Sequence, residues 1–169
     1  TVGVVARDDA RMQPGYTLIN SGRNTFLLDA DGRVVHEWSL RRAVFVAVLL
    51  PSGNLLRDGN ETVEAPCFHA GGAAGYIEEV TWDGETLWSF AALPYTQYLT
   101  HHDVEPMPNG NVLLLCWDRK SKEQALAAGR RPELIPDGEV WDTMVLELEP
   151  QREEGGARVV WRWSLWDHL

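Results

Sequence analysis

Two kinds of β-hairpin alternate along this 169-residue chain, and this alternation limits the possible folds more than any other feature. The first kind joins two alternating strands through an acidic-glycine turn and ends in Trp-Ser. It occurs at residues 26–40 (FLLDADGRVVHEWSL), 76–90 (YIEEVTWDGETLWSF) and, with a longer turn, 145–165 (VLELEPQREEGGARVVWRWSL). Asp-Gly favours such turns because Asp bonds its own backbone and Gly accepts a positive φ. The tryptophans of the three Trp-Ser pairs are predicted to occupy matching positions: Trp38, Trp88 and Trp163.

The second kind of hairpin carries Pro-x-Gly-Asn followed by an apolar strand. Residues 47–59 (AVLLPSGNLLRDG) and 104–118 (VEPMPNGNVLLLCWD) contain it. Taken in chain order, the two kinds make a four-strand unit of roughly 50 residues, and a repeat of this length is typical of β-propeller blades. An unrelated set of hairpins in a β-sandwich is the alternative, but the strict alternation favours the propeller.

Residues 1–169 are therefore interpreted as all-β, a partial β-propeller with about three four-stranded blades. The approximate blade limits are 2–40, 43–90 and 99–165. Propellers usually close with four to eight blades, and an open ring leaves strand edges exposed. We expect a second polypeptide, or the C-terminal remainder of the same protein, to complete the ring.

The third unit is interrupted by an insertion near residues 118–141. Good helix formers followed by a glycine stop (SKEQALAAG) predict a short surface helix over Ser121–Ala128. Residues 61–75 (ETVEAPCFHAGGAAG) have no periodicity and are predicted to form a loop within the second unit.

Charge and hydropathy exclude two classes of partner. The net charge of −10 and the pI near 4.9 argue against a nucleic-acid partner, which would need a basic face. No apolar run is long enough for a membrane span. Two cysteines, Cys67 and Cys116, do not decide the redox compartment, so a soluble periplasmic, secreted or cytoplasmic location is left open.

The densest chemistry lies in residues 100–117, THHDVEPMPNGNVLLLCW. When Pro108 is aligned with Pro51 of the preceding unit, His101, His102 and Asp103 fall opposite Val44, Phe45 and Val46, so the fold itself does not require the His-His-Asp triplet. Neighbours on a strand point to opposite faces, and only one histidine is expected to reach the central channel. The other is expected to pack between blades. The structural alternative is that one histidine is a core residue hydrogen-bonded to Asp103.

Six motifs in order carry a resemblance to a known family: PGYTLINS, FLLDADGRVVHEW, LLPSGNLL, GGAAGYIEEVTWDGETLWSF, HHDVEPMPNGNVLLL and VVWRWSLWDHL. Together they resemble the arylsulfotransferase family of six-bladed propellers, and they match its N-terminal half. The resemblance implies a transferase that moves a sulfuryl group from one phenol to another through a sulfated histidine, with a small aromatic substrate. It maps the family's histidines onto His101 and His102, and the WDHL segment places His168 as a candidate substrate contact.

The residue types suggest how such a site would work. His102 or His101 would act as nucleophile or general acid/base, with Asp103 orienting the ring. The negative charge of a sulfuryl group needs donors, for which Arg57 and Arg119 are candidates at similar places in their strands. A surface position is the simpler interpretation of both arginines. The chemistry requires no cofactor.

Two alternatives remain open from the sequence. A divalent metal ion could be held by His101, His102 and His69, although the chain has no zinc-type spacing of ligands and Cys67-Phe68-His69 is a weak chelate. The protein could also be a non-catalytic propeller that acts as a binding or assembly module. Cys116, inside the apolar LLLCW run, is predicted to be a buried apolar residue.

Overall fold

The computed structural model describes residues 4–60, 71, 73–92, 96–135 and 138–169. These residues form three antiparallel sheets, which confirms an all-β chain. Sheet 1 contains β1 (Thr17–Ser21), β2 (Asn24–Leu28) and β3 (Val34–Ser39). Sheet 2 contains β4 (Ala47–Leu49), β5 (Leu55–Asn60), β6 (Gly75–Val80) and β7 (Thr86–Ala91). Sheet 3 contains β8 (Tyr98–Pro106), β9 (Val112–Ser121), β10 (Glu139–Gln151) and β11 (Gly156–Ser164).

Each sheet is a meander in which the strands pair in chain order. Sheets 1, 2 and 3 span residues 17–39, 47–91 and 98–164, where the sequence predicts units at 2–40, 43–90 and 99–165. Sheet 1 has three strands in the described part of the chain rather than four, because residues 4–16 form no strand.

The Pro-x-Gly-Asn and acidic-glycine turns close in the same way. In the first, the N–H of Leu50 donates to the carbonyl of Asn54, and the N–H of Gly53 donates back to Leu50. Thr81, Gly84 and Glu85 repeat this pattern. The glycine takes φ 88° in one turn and 87° in the other, a left-handed conformation that a residue with Cβ rarely adopts. These hairpins were therefore predictable from short motifs alone.

Sheet 2 is packed between the other two sheets, and β5 and β6 bury side chains on both faces. Leu55 packs with Leu27 and Trp38 of sheet 1. Its neighbour Leu56 points the other way and packs with Val104 and other residues of sheet 3. Successive residues of a strand face opposite sides, so one Leu-Leu pair joins three sheets.

The strand register corrects the predicted equivalence of the three tryptophans. Trp88 pairs with Glu79, immediately beyond a bulge that follows the turn. The residue at this level in sheet 1 is His36, and in sheet 3 it is Trp161. Trp38 and Trp163 match each other, two residues farther from the turn. The Trp-Ser motif misleads because the strands that carry it differ in length between turn and motif.

The predicted helix is confirmed as α1 (Lys122–Ala127). Ser121 caps it and Gln124 returns the bond, a reciprocal capping box. The insertion is shorter than predicted, since β9 continues to Ser121 and β10 begins at Glu139. Within the described ranges, no helix is long and apolar enough to cross a membrane.

Candidate functional site

The His-His-Asp triplet forms a bulge in β8, an edge strand of sheet 3. Strands β8 and β9 pair at Thr100 with Cys116, and pairing resumes at Val104 with Leu114. Three residues of β8 therefore oppose only Leu115 of β9. A bulge bends a strand and changes the direction of its side chains, and bulges are over-represented next to active sites.

The chain just before the bulge is held by sheet 2. The carbonyl of Thr100 accepts the N–H of Ala74 at 2.8 Å, and its hydroxyl accepts the N–H of Gly75 at 2.6 Å. Ala73 forms a bridge with His101 itself. The triplet thus begins at a firm junction between two sheets.

His101 is the buried member of the pair, with 8% of its surface exposed. Its ring stacks on Trp117 with centroids 4.2 Å apart, and its Nδ1 lies 3.0 Å from Nδ1 of His102. Burial, reinforced by the neighbouring His102 ring and opposed by the backbone of Cys116, lowers the pKa of His101 from 6.5 to about 4. His101 is therefore a neutral imidazole at physiological pH, and its Nε2 is buried without a hydrogen-bond partner in the described part of the protein.

His102 is exposed and its backbone has φ 58°. No other non-glycine residue in the described ranges has a positive φ. Such a conformation costs about 1–3 kcal/mol and persists only where the surroundings impose it. Strain of this kind is concentrated at functional sites.

The repeat separates what the fold needs from what is peculiar to sheet 3. In sheet 2, the N–H groups of Asn60 and Asp58 donate to the carbonyls of Ala43 and Val46, and the regular strand pairing is likewise interrupted between these two bonds. The N–H of Phe45 there donates to the Asp58 side chain instead. Phe45, which matches His102, is exposed there without a positive φ. The interruption of pairing is thus shared by both sheets, whereas the strained backbone and the histidine pair belong to sheet 3 alone.

The Nδ1···Nδ1 contact couples the tautomers of the two rings. One Nδ1 must donate and the other must accept, so the contact excludes a proton on both atoms. When His102 donates, its Nε2 carries a lone pair at the surface and can act as a nucleophile or base. When His101 donates, His102 presents an N–H and can act as an acid. The pair can therefore pass between two states with opposite chemistry by moving protons only.

Asp103 does not hold the position expected for it. Its Oδ1 accepts the N–H of the next residue, Val104, at 2.9 Å, and no contact with a histidine ring is seen among the described residues. The neighbour that orients His102 is His101. The carboxylate of Asp103 is short enough to accept the following backbone N–H, and this local bond takes the place of a bond to a histidine ring.

Arg57 is buried rather than at the surface, which corrects the simpler expectation. Its side chain is fully enclosed, with Nε 3.3 Å from Glu78 and Nη2 2.5 Å from the carbonyl of Arg42. Burial lowers the pKa of Arg57, and Glu78 opposes this shift. The adjacent Asp58 is also buried and accepts two backbone N–H groups; burial raises the pKa of Asp58.

Arg119 is not equivalent to Arg57. Counted from the turn asparagines, Arg57 matches Leu114, and Arg119 lies much farther along the longer β9. Its guanidinium pairs with Glu139 of β10. His168 ends a short 3₁₀ turn and stacks on Trp163, with centroids 5.1 Å apart. Neither residue touches the histidine pair in the described structure.

The described part of the chain contains no set of side chains that could hold a divalent metal ion. No group of three histidine, cysteine, aspartate or glutamate side chains converges there. His69 and Cys67 lie outside the described residues. Cys116 is a buried free thiol as predicted, and burial raises its pKa to about 12, so it is not a thiolate at physiological pH.

Trp117 and Thr100 belong to the site but were not singled out from the sequence. Trp117 supports the buried ring, and Thr100 fixes the start of the bulge. Counting outward from Pro-Asn-Gly-Asn without a bulge pairs His101 with Trp117, which could have drawn attention to Trp117. The bulge shifts the register by two residues, so the pairing of Thr100 with Cys116 could not be predicted from the hairpin. A search for catalytic residue types misses both residues, because Trp117 and Thr100 hold other groups in place and carry no catalytic group of their own.

Comparison with known protein families finds no matching family model, and no curated protein matches the sequence.

Proposed function

We propose that this chain is part of a β-propeller enzyme that transfers a sulfuryl group between phenols through His102. The observation that carries the proposal is the strained, exposed His102 held by a buried neutral His101. The arylsulfotransferase-like motifs supply the reaction class. The histidine geometry supports group transfer at a ring nitrogen.

The propeller architecture is supported by the way the sheets follow one another. Each sheet is a meander, and the last strand of one leads into the first strand of the next. Sheet 2 packs on sheet 1 through one face and on sheet 3 through the other. Continued in the same sense, this stacking forms a ring in which β4 and β8 line the centre, and the bulge then faces the channel.

In the proposed reaction, the lone pair on Nε2 of His102 attacks the sulfur of an aryl sulfate. An N–S bond forms, the S–O bond to the aryl group breaks, and the phenolate leaves and takes a proton from solvent. The ring then carries positive charge, and its Nδ1–H donates to the neutral Nδ1 of His101. The oxygen of a second phenol attacks the sulfur, the N–S bond breaks and returns the lone pair to Nε2, and the phenol loses its proton to solvent as the product forms.

His101 suits this task because it stays neutral at working pH. A protonated neighbour would present N–H to N–H and repel the charged intermediate. A neutral acceptor orients the ring and stabilises the charge that develops on it, the role of the third group in other activated nucleophiles. The depressed pKa of His101 is therefore an asset to the proposed transfer.

The proposed reaction also requires hydrogen-bond donors from the rest of the ring. Sulfuryl oxygens need donors. Arg57 and Arg119 are held by Glu78 and Glu139. We expect cationic donors to come from the polypeptide that completes the propeller, and we expect the 169-residue chain alone to be inactive.

The test is an assay of the complete particle with 4-nitrophenyl sulfate as donor and phenol as acceptor. Release of 4-nitrophenol should require His102, and His102→Ala should lower kcat/KM by at least about 100-fold. The matched control is Phe45→Ala, the same strand position in sheet 2, which should leave the rate unchanged. Tryptic peptides from the enzyme stopped without acceptor should carry a sulfuryl group on His102.

Three results would overturn the proposal: an unchanged rate in His102→Ala, a sulfuryl group on another residue, or no transfer with any aryl sulfate. Metal analysis of the same sample separates the main competing chemistry. A stoichiometric divalent ion lost from both His101→Phe and His102→Ala would make this a metal site.

A further inference from the structure

Sheet 1 meets sheet 2, and sheet 2 meets sheet 3, through equivalent contacts. In each case the contact involves the residue that follows the bulge in the last strand of the earlier sheet. At the first junction this residue is His36. Its ring stacks on Trp82 of the β6–β7 turn, with centroids 3.8 Å apart, and its Nε2 lies 2.8 Å from the carbonyl of Trp82. The outer turn of the following sheet thus reaches back to cover the preceding sheet.

At the second junction the equivalent residue is Trp88, opposite Glu79. The carboxylate of Glu79 binds three donors: Asn54 Nδ2 at 2.8 Å, Trp88 Nε1 at 2.6 Å and Arg152 Nη2 at 2.7 Å. Arg152 lies in the β10–β11 turn, at the turn position that Trp82 occupies one sheet earlier. A buried carboxylate needs such donors, and these lower the pKa of Glu79 against the effect of burial.

Sheet 3 repeats the first half of this arrangement. Asn111, the equivalent of Asn54, donates to Glu147 at 2.5 Å, and Glu147 pairs with Trp161 across the strands as Glu79 pairs with Trp88. The apolar residues around them also correspond, with Leu113 in the place of Leu56.

The equivalent residues of sheets 2 and 3 differ in how far they are buried. Trp88 is fully buried, whereas Trp161 is 48% exposed. Leu56 is buried and Leu113 only partly so. In the described structure no basic side chain approaches Glu147, and a cavity of about 150 Å³ lies beside Leu113, Leu115 and Val145. Sheet 3 thus presents the apolar surface and the acidic group of a junction, without the turn that would complete it.

We propose that this face of sheet 3 binds a further antiparallel sheet whose outer hairpin turn places an arginine against Glu147 and Trp161. Arginine fits because its planar guanidinium can pair with a carboxylate and stack on an indole at once. The partner is thus defined by its chemistry: an apolar sheet face with a basic residue second in its outer turn. The inference rests on the succession of sheets in the proposed propeller and not on the transfer reaction.

The experiment uses a photo-crosslinking amino acid, benzoylphenylalanine, placed at position 161 of the protein in the cells that make it. After irradiation, the cross-linked peptide is sequenced. We expect an adduct with a hairpin turn that carries arginine or lysine, from sequence other than residues 1–169. Glu147→Lys should lower the yield at least about tenfold, because like charges would face each other.

A probe at Arg131, an exposed residue of the connection after α1, gives the background yield, and a second probe at Leu113 guards against misfolding at position 161. Yields at positions 161 and 113 no higher than at 131 would overturn the proposal. So would an adduct with a second copy of this chain, or with a segment that has no basic hairpin turn. His102→Ala should abolish transfer and leave the cross-link unchanged, so failure of the proposed reaction and failure of the docking surface are separately visible.

Discussion

His101 and His102 have the same side chain but opposite environments, and the bulge is the cause. One ring is enclosed against Trp117, and the other is exposed on a strained backbone. A regular strand would also put neighbours on opposite faces, but it would separate their rings. The bulge brings the two Nδ1 atoms within 3.0 Å, and this contact creates a pair with properties that neither residue has alone.

The buried ring should make stability depend on pH. In the unfolded chain His101 binds a proton near pH 6.5, and in the folded protein near pH 4. Between these values the unfolded state holds more protons, so the free energy of unfolding should fall as the pH falls from about 6.5 to about 4 and level off below. The shift corresponds to at most about 3 kcal/mol.

Urea unfolding at a series of pH values measures this dependence. His101→Phe keeps an aromatic ring against Trp117 and should remove the slope that His101 contributes in this window. An identical slope in the variant would mean that His101 titrates alike in both states.

The strain at His102 predicts an unusual order of stability among variants. At φ 58° glycine is unstrained, whereas alanine keeps the steric cost. His102→Gly should therefore be more stable than His102→Ala by about 1 kcal/mol, the reverse of the order in a regular strand. Thermal unfolding of the two variants measures this difference. A more stable alanine variant would show that the strain is absent.

At the scale of elements, the turns hold the sheets together as much as the strands do. Arg152 lies between β10 and β11 but binds Glu79 of sheet 2, and the N–H of Ser89 donates to Gly155 of the same turn. A hairpin turn is normally a connection with high tolerance to change. Here its sequence is constrained by the sheet it covers.

Removing the arginine should expose this constraint. Arg152→Ala leaves the buried carboxylate of Glu79 with two donors instead of three, and we expect a loss of about 1–3 kcal/mol in the free energy of unfolding. Arg131→Ala breaks only the exposed pair with Glu133 and should change stability by less than about 0.5 kcal/mol. Denaturant unfolding measures the loss of stability in both variants. Equal losses would show that Arg152 does not stabilise the contact between sheets 2 and 3.

At the scale of the whole molecule, equivalent residues in sheets 2 and 3 differ in burial, and the difference shows which sheet face packs against another sheet. Leu56 is covered by sheet 3, and Leu113 holds the same position on the free face of sheet 3. In the 169-residue chain, Leu56→Ala should cost about 2–5 kcal/mol and Leu113→Ala about 1 kcal/mol or less.

If the proposed further sheet covers this face, the two costs should converge in the complete particle, because Leu113 would then be buried. Unfolding of both variants in both forms gives the comparison. If the cost at Leu113 stayed small in the complete particle, the face of sheet 3 would be free there as well.

The sequence by itself determined the features that depend on a few neighbouring residues. Pro-x-Gly-Asn and Asp-Gly imposed the turns through the φ that glycine permits, and Ser121 with Gln124 imposed the start of α1. Strand alternation and the internal repeat then gave an all-β chain and directed attention to the His-His-Asp triplet. Each of these rests on local conformational energy, which a short segment carries with it.

Only the tertiary structure decided how distant segments combine. It buried His101 and left His102 exposed, because the bulge depends on the pairing of β8 with β9 and on the contact of Thr100 with sheet 2. It enclosed Arg57 and matched Trp88 with Trp161 rather than Trp163. These outcomes depend on strand register and on packing across sheets, and the energy of such contacts belongs to pairs of segments that lie far apart in the chain.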